Sequence, residues 1–336
     1  MISPTIGEVR RRCRPTAIQT SSSCSASYDA LRMLGALAAA TAAEERAPSR
    51  DRERRLRNMD IGKIGVWTSY RPFGVERAGE AAKLVEQLGY GTWWVGGSPH
   101  VPDVRPVLEA TSTLAVATGI LNVWVNDPAE TAAADAALRA DFAGRFMLGI
   151  GIGHREATSD YRKPLTTMRA FLDGLDASET PPPVDERCLA ALGPKMLELA
   201  RERTAGTHSY FVPVGHTRAA RERLGLGKLV APELACVVDT DHVRARAIAR
   251  DYANRYLGLR NYVQNLLQFG FTEDDVVNGG SDRLIDAVVP QGSAEEIAEL
   301  VRAHLDAGAD HVCVQPLGED GVPRSAWTAL ANVLIV

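Results

Sequence analysis

A chain of 336 residues with 45% hydrophobic and 24% charged side chains has the make-up of a folded globular protein large enough to bury a full core. Its net charge of −4 is unevenly spread, residues 1–58 being basic and the remainder acidic, and an acidic body is a poor match for nucleic acid. No apolar run reaches the ~18 residues that a membrane helix needs, so a soluble, cytoplasmic protein acting on a small molecule is expected.

Residues 1–58 are set apart from the fold. Arg10, Arg11 and Arg12 followed by the apolar residues 31–43 loosely resemble an export signal, but such a signal places its apolar core nearer Met1 and ends it at a small-residue cleavage site. The stretch is expected to be a poorly ordered extension, from a start codon assigned too far upstream. Met59-Asp60-Ile61-Gly62 makes a natural beginning for a domain covering residues 59–336.

From there a short β-branched or aromatic run alternates with an amphipathic helix and a glycine, the pattern of parallel strands joined by helices. Residues 63–67 read as strand one and 74–88 as a helix with Ala78, Ala81, Ala82, Val85 and Leu88 on one face, stopped by Gly89. Residues 92–95 read as strand two, 104–117 as helix two and 119–125 as strand three. Asp127-Pro128 caps the next helix, which runs to Ala143 before Gly144. Strand four is 146–151 and strand five 188–192. Between them lies an insert, partly helical over 161–175 and broken by Pro181-Pro182-Pro183.

A helix from Pro194 to Thr204 precedes strands six and seven at 208–212 and 234–238. The largely helical stretch 241–286 is too long for a simple crossover and reads as an excursion over one end. A helix at 293–307 leads into strand eight at 311–315. Eight strands, intervening helices and no second core predict an α/β fold, a (β/α)8 TIM barrel with insertions after strand 4 and before strand 8; an open doubly wound sheet is the alternative. Cys13, Cys24, Cys188, Cys236 and Cys313 lack CxxC spacing, and the last three read as buried thiols in strands of a protein from a reducing compartment.

Barrel enzymes build their sites where strands end, and two such ends stand out. In Leu148-Gly149-Ile150-Gly151-Ile152-Gly153-His154, glycine at alternate positions clears one face of strand four, so a flat ring could lie against the backbone with His154 at the rim. The same glycines could instead serve packing alone. In Ala190-Ala191-Leu192-Gly193-Pro194-Lys195-Met196, a strand ends in Gly with Pro in the first helical turn. Free backbone N–H groups and the positive helix end there suit a phosphate, and Lys195 would add charge, although many loops contain Gly-Pro for turn geometry alone.

With residues 144–151 (Gly-Arg-Phe-Met-Leu-Gly-Ile-Gly), 189–197 and 304–312, the chain resembles the luciferase-like barrel oxidoreductases over nearly all of 63–317. The third of these segments, together with Asn261-Tyr262 and Asn265-Leu266, resembles in particular the branch that uses the deazaflavin coenzyme F420. The resemblance implies a cofactor ring against Asn122, Gly149, Gly151 and Gly153, and its phosphate at Gly193, Pro194 and Lys195. It also implies a bulge or non-prolyl cis peptide near Leu121-Asn122, and homodimers as the family habit.

His154 stands where some deazaflavin-dependent relatives carry a proton-handling carboxylate, and a histidine can act either as acid or as base. The expected activity is F420-dependent hydride transfer to or from an organic substrate. The alternatives are an FMN-dependent luciferase-like monooxygenase and a flavin-binding barrel without turnover. One departure stands out: Val95-Gly96-Gly97-Ser98-Pro99-His100 holds no acidic pair after strand two, leaving His100 as a weak substitute. Tyr161 could close the site or simply anchor the insert. Trp67, Trp93, Trp94 and Trp124 read as core, and His208, His216 and His311 show no metal-binding spacing.

Overall fold

The computed structural model describes residues 59–158 and 161–335, so the expectations for residues 1–58 lie outside the described residues. β1 (Ile64–Thr68), β2 (Thr92–Val95) and β3 (Ala115–Thr118) are separated by α1 (Val75–Gln87) and α2 (Arg105–Ala110). A two-residue strand β4 (Leu121–Asn122), α3 (Pro128–Asp141) and β5 (Phe146–Gly151) follow. The insert carries α4 (Pro164–Asp176) and leads to β6 (Arg187–Leu189), α5 (Pro194–Arg203), β7 (Gly206–Thr207) and α6 (Val214–Leu224). Then come β8 (Leu229–Val230), β9 (Glu233–Val238), and an excursion of α7 (His242–Leu257), α8 (Arg260–Gln268) and α9 (Asp282–Val288). The short β10 (Gln291–Gly292), α10 (Ala294–Asp306), β11 (Val312–Pro316) and α11 (Arg324–Leu334) complete the chain.

All strand pairs are parallel. From β1 the order runs β2, β3, β5, β6, β7, β8 in one direction and β11, β9, β10 in the other. β8 and β9 are one strand interrupted at Ala231 and Pro232. On one side Ala231 N donates to Thr207 O (2.9 Å) and Glu233 N to Ser209 O (2.8 Å). On the other, Cys313 N donates to Pro232 O (3.1 Å) and Cys313 to Pro316 run beside Glu233 to Cys236. The hydrogen-bonded ring therefore closes, as a (β/α)8 barrel requires.

The sequence places these elements through caps and glycines. Asp127 accepts from Ala129 N and Glu130 N at the start of α3, and Ser293 with Glu296 forms a capping box at α10. Ala78, Ala81, Ala82 and Val85 of α1 are buried against the barrel, and Gly89 ends that segment at φ 84°, where only glycine sits without strain.

Two expected boundaries move. Helix two ends at Ala110 rather than 117, and residues 115–118 enter the barrel wall. A strand buried on both faces is continuously apolar, so Leu114-Ala115-Val116-Ala117 carries no period that separates it from a helix. Strand six pairs at 206–207, ahead of the expected 208–212. A Cβ on Gly206 would lie 1.9 Å from Leu229 O, so this glycine lets two strands approach closely.

The barrel axis is filled by aromatic rings. Trp94 stacks on His208 (centroids 4.0 Å apart, 11° between planes) and donates from Nε1 to His311 Nε2 (3.1 Å). His311 donates from Nδ1 to Gly62 O, and His208 from Nδ1 to Ala231 O. These bonds fix each ring as the neutral Nδ1–H tautomer, and burial holds their pKa values down at about 4 and about 3. Cys188, Cys236 and Cys313 are buried and free. Among the described residues no helix is long and apolar enough to cross a membrane, and no cluster of three or more His, Cys, Asp or Glu is placed to hold a metal.

Candidate functional site at the barrel mouth

At the C-terminal ends of the strands lies a cavity of about 410 Å³. Its shape begins with a fault in strand three. The register offset against β5 falls by one residue between Ala117↔Met147 and Leu121↔Ile150, so one extra residue bulges out at 118–120. There the Thr118 hydroxyl replaces the lost ladder, accepting from Gly149 N and donating to Gly149 O, both at 2.8 Å. The Gly119-Ile120 peptide within the bulge is cis, just ahead of the expected position at Leu121-Asn122.

The strand-four glycines do three different things. A Cβ on Gly149 would stand 2.0 Å from Thr118 O and 3.5 Å from the Trp94 ring, so this residue serves the packed bulge and does not border the cavity. Gly151 borders the cavity and makes room for Ile120, whose side chain would lie 2.2 Å from an added Cβ. Gly153, at φ 62°, lies beside the Asn122 amide, which accepts from Trp124 N. The strand-four face is thus cleared of its own side chains but covered in part by Ile120 and Asn122, both lining residues.

Gly193 also lines the cavity and caps α5 with nothing within 4 Å of a would-be Cβ, while Pro194 and the exposed Lys195 stand outside it. The Lys195 N–H, in the first turn after Pro194, has no partner within the helix. The glycine and the helix end therefore meet the cavity edge, but the lysine side chain does not.

His154 is half-buried on the cavity wall. Burial pushes its pKa below the ordinary 6.5, opposed by the neighbouring Asn261 side chain and the Glu156 carboxylate. Its Nδ1 has no partner.

Sequence reasoning missed Trp67, Tyr210 and Tyr256 as cavity residues. Trp67 donates from Nε1 to Gly119 O (3.1 Å) and lies across Gly96, whose Cβ would fall 2.4 Å from the indole. Gly96, in the segment that lacks an acidic pair, thus provides the space for that ring. His100 is exposed and pairs with Asn126 (2.6 Å) outside the cavity. Tyr161 lines the cavity and packs on Trp124 (5.5 Å), so it is wall and anchor together. Trp93 and Trp94 are core. The signal that could have found Tyr256 was its helical spacing with Tyr252 in the excursion, a face with no barrel position to fill.

Comparison with known proteins agrees with this architecture. The profile of the luciferase-like monooxygenase family matches residues 59–177. A 5,10-methylenetetrahydromethanopterin reductase of Methanolobus tindarius is 30% identical over 159 residues, covering 37% of this chain and about half (47%) of that protein. The Archaeoglobus fulgidus protein of the same name is 24% identical over 300 residues, 71% of this chain and 89% of its own length. Among solved structures, an F420-dependent secondary alcohol dehydrogenase bound to an F420-acetone adduct superposes with a TM-score of 0.63 at 17% identity, over 81% of this chain and 97% of that one. The FMN-bound oxygenating component of 3,6-diketocamphane monooxygenase from Pseudomonas putida gives 0.59 at 14%, over 80% and 95%. The sequence match over residues 59–177 and the shared barrel make the chain similar to the luciferase-like monooxygenases in its first half and in its fold.

Proposed function

We propose that the protein is a coenzyme F420-dependent oxidoreductase that moves a hydride between the deazaflavin and an organic carbonyl, alcohol or activated alkene. The observation that carries this reading is the pairing, across one cavity, of a bulged, glycine-cleared wall with a histidine whose Nδ1 lacks a partner. The volume suits a ring-sized ligand, and the bare Gly193 cap leaves the backbone open to a phosphate. A deazaflavin-type ring fits the residues present: Ile120, Asn122, Gly151 and Gly153 would hold its face, with Gly193 and the Lys195 N–H at its phosphate end.

Bound there, the cofactor would supply the two-electron hydride chemistry. The chain supplies the rest. His154, whose burial favours the neutral ring, takes the proton from an alcohol oxygen at its unpartnered Nδ1 or returns it in the reverse direction. Tyr161 and the excursion residue Tyr262 restrict water. The two relatives described above share one reductase name, and the structural match with the higher TM-score of the two compared is an F420 enzyme.

An FMN-dependent monooxygenase is the second reading, supported by the FMN-bound 3,6-diketocamphane monooxygenase neighbour and the family description. Titration of the full-length protein with F420 and with FMN, followed by cofactor fluorescence and thermal shift, separates the two. F420 binding with weak or absent FMN binding is expected. Tight FMN binding with no response to F420 defeats the first reading. Binding of either without turnover across ketones, alcohols and enones leaves a non-catalytic barrel.

A further inference from the structure

The cavity has two unlike halves. The ends of β2, β3, β5 and β6 give it mostly glycine and small aliphatic residues, with His154 and Tyr161 following β5, whereas β1, β7 and the excursion after β9 give it rings. His154, Tyr262, Tyr256, Tyr210 and Trp67 follow one another at centroid spacings of 5.4, 5.3, 5.3 and 5.2 Å. All five line the cavity. Phe211 stacks behind Tyr256 (4.9 Å, 23°), so the arc is backed by packed side chains and its rings are fixed in place.

The arc also carries a directional polar group. Tyr210 donates to Gln315 Oε1 (2.6 Å) and accepts from Tyr252 (2.7 Å) and Tyr256 (3.2 Å), so its oxygen is saturated. Tyr252 is buried, but Tyr256 is half-buried and makes the longest of these contacts. Its O–H can turn to an oxygen in the cavity while Tyr210 keeps its other two bonds.

We infer that this arc is the substrate wall, and that it selects an uncharged, planar, conjugated compound whose carbonyl or hydroxyl oxygen meets Tyr256. The inference rests on the proposed reading only in taking this cavity as the substrate site. Flat rings gain from edge and face contacts with a rigid aromatic wall, a gain that a flexible chain of equal apolar area does not match.

Calorimetric titration of the full-length protein without cofactor tests it with four probes: 2-acetonaphthone, its oxygen-free analogue 2-ethylnaphthalene, 2-decanone and 6-phosphogluconate. 2-Acetonaphthone is expected to bind about tenfold more tightly than 2-decanone, with 6-phosphogluconate weakest. Tyr256→Leu should erase that preference. Tyr256→Phe, which keeps the ring and the packing, should weaken 2-acetonaphthone about threefold to tenfold and leave 2-ethylnaphthalene unchanged. Equal or tighter binding of 2-decanone or 6-phosphogluconate overturns the inference, as does no binding of 2-acetonaphthone or an equal loss of both naphthalenes in Tyr256→Phe. F420 titration in parallel keeps the two ideas apart. The aromatic preference without F420 binding defeats the cofactor reading alone, and F420 binding without the preference defeats the wall alone.

Discussion

Gly149 and Gly193 look alike in sequence, each a glycine in one of the two runs that close a strand, yet the structure gives them opposite sensitivities. In Gly149→Ala the new methyl would stand 2.0 Å from Thr118 O, a backbone atom that no rotamer change can move away. Relief of more than an ångström has to come from the strands themselves, and overpacking of this kind costs about 1–3 kcal/mol. The shift also strains the two 2.8 Å bonds between the Thr118 hydroxyl and Gly149, at about 1 kcal/mol each. The sum, about 3–5 kcal/mol, is a large share of the ~5–15 kcal/mol typical of a whole protein. At roughly 2–4 °C per kcal/mol for a domain of this size, the melting temperature should fall by about 6–20 °C. In Gly193→Ala the methyl meets nothing within 4 Å at an ordinary φ of −81°, so stability should change by less than about 1 kcal/mol, from the poorer cap alone. Thermal and urea unfolding followed by circular dichroism decide the matter. A Gly149→Ala melting point within about 2 °C of the parent, or an equal loss in both variants, would refute the reasoning from close approach.

Three further predictions concern titration. His208, His216, His304 and His311 are buried with pKa values held down at about 3, 4, 4 and 4, below the ordinary 6.5. The unfolded chain therefore binds protons that the native protein refuses, and the stability present above pH 6.5 is lost as pH falls toward 4, by about 1.4 kcal/mol per pH unit for each histidine; urea midpoints that stay level from pH 7 to pH 5 would contradict this. Glu233 works in the other direction, since burial raises its pKa well above 4.5 and its Oε1 has no partner. Its contribution is fully present below about pH 4.5 and fades as pH rises, so the advantage of Glu233→Gln over the parent should grow as pH rises above 4.5, and a pH-independent difference counts against a protonated Glu233. If His154 is the base for alcohol oxidation, the acid limb of kcat/KM should lie below pH 6.5, where burial sets its pKa, and vanish in His154→Ala with F420 affinity retained; an unchanged limb in that variant removes His154 from proton transfer.

The scaffold was legible because its signals are local. Asp127-Pro128 begins α3, Gly89 ends the first helical segment, and Ala78, Ala81, Ala82 and Val85 mark one face of α1, each within a single turn of chain. The wall of 115–118 was not, because a strand buried on both faces has no period to distinguish it. The glycines of 149–153 drew attention for a sound reason, but a missing side chain does not reveal what fills the space. At Gly149 it is a displaced neighbouring strand, and only the one-residue change of register between β3 and β4 shows it.

The same limit explains which half of the cavity sequence reasoning found. Gly151, Gly153, His154 and Gly193 sit in two short runs whose composition departs from that of ordinary strands, and they form the part suited to a cofactor. Trp67 and Tyr210 come from a strand end and a strand exit and are not unusual among their chain neighbours, and Tyr256, from an excursion helix, is marked only by its spacing with Tyr252. Their common function exists only once the barrel closes and α7 crosses its mouth. A shared cofactor can be held by contiguous motifs, whereas a substrate wall assembled from separate loops can change one side chain at a time without disturbing the barrel. Substrate specificity in this chain should therefore follow Tyr256 and its neighbours in the arc, and substitutions there should alter ligand choice far more than melting temperature or affinity for the cofactor.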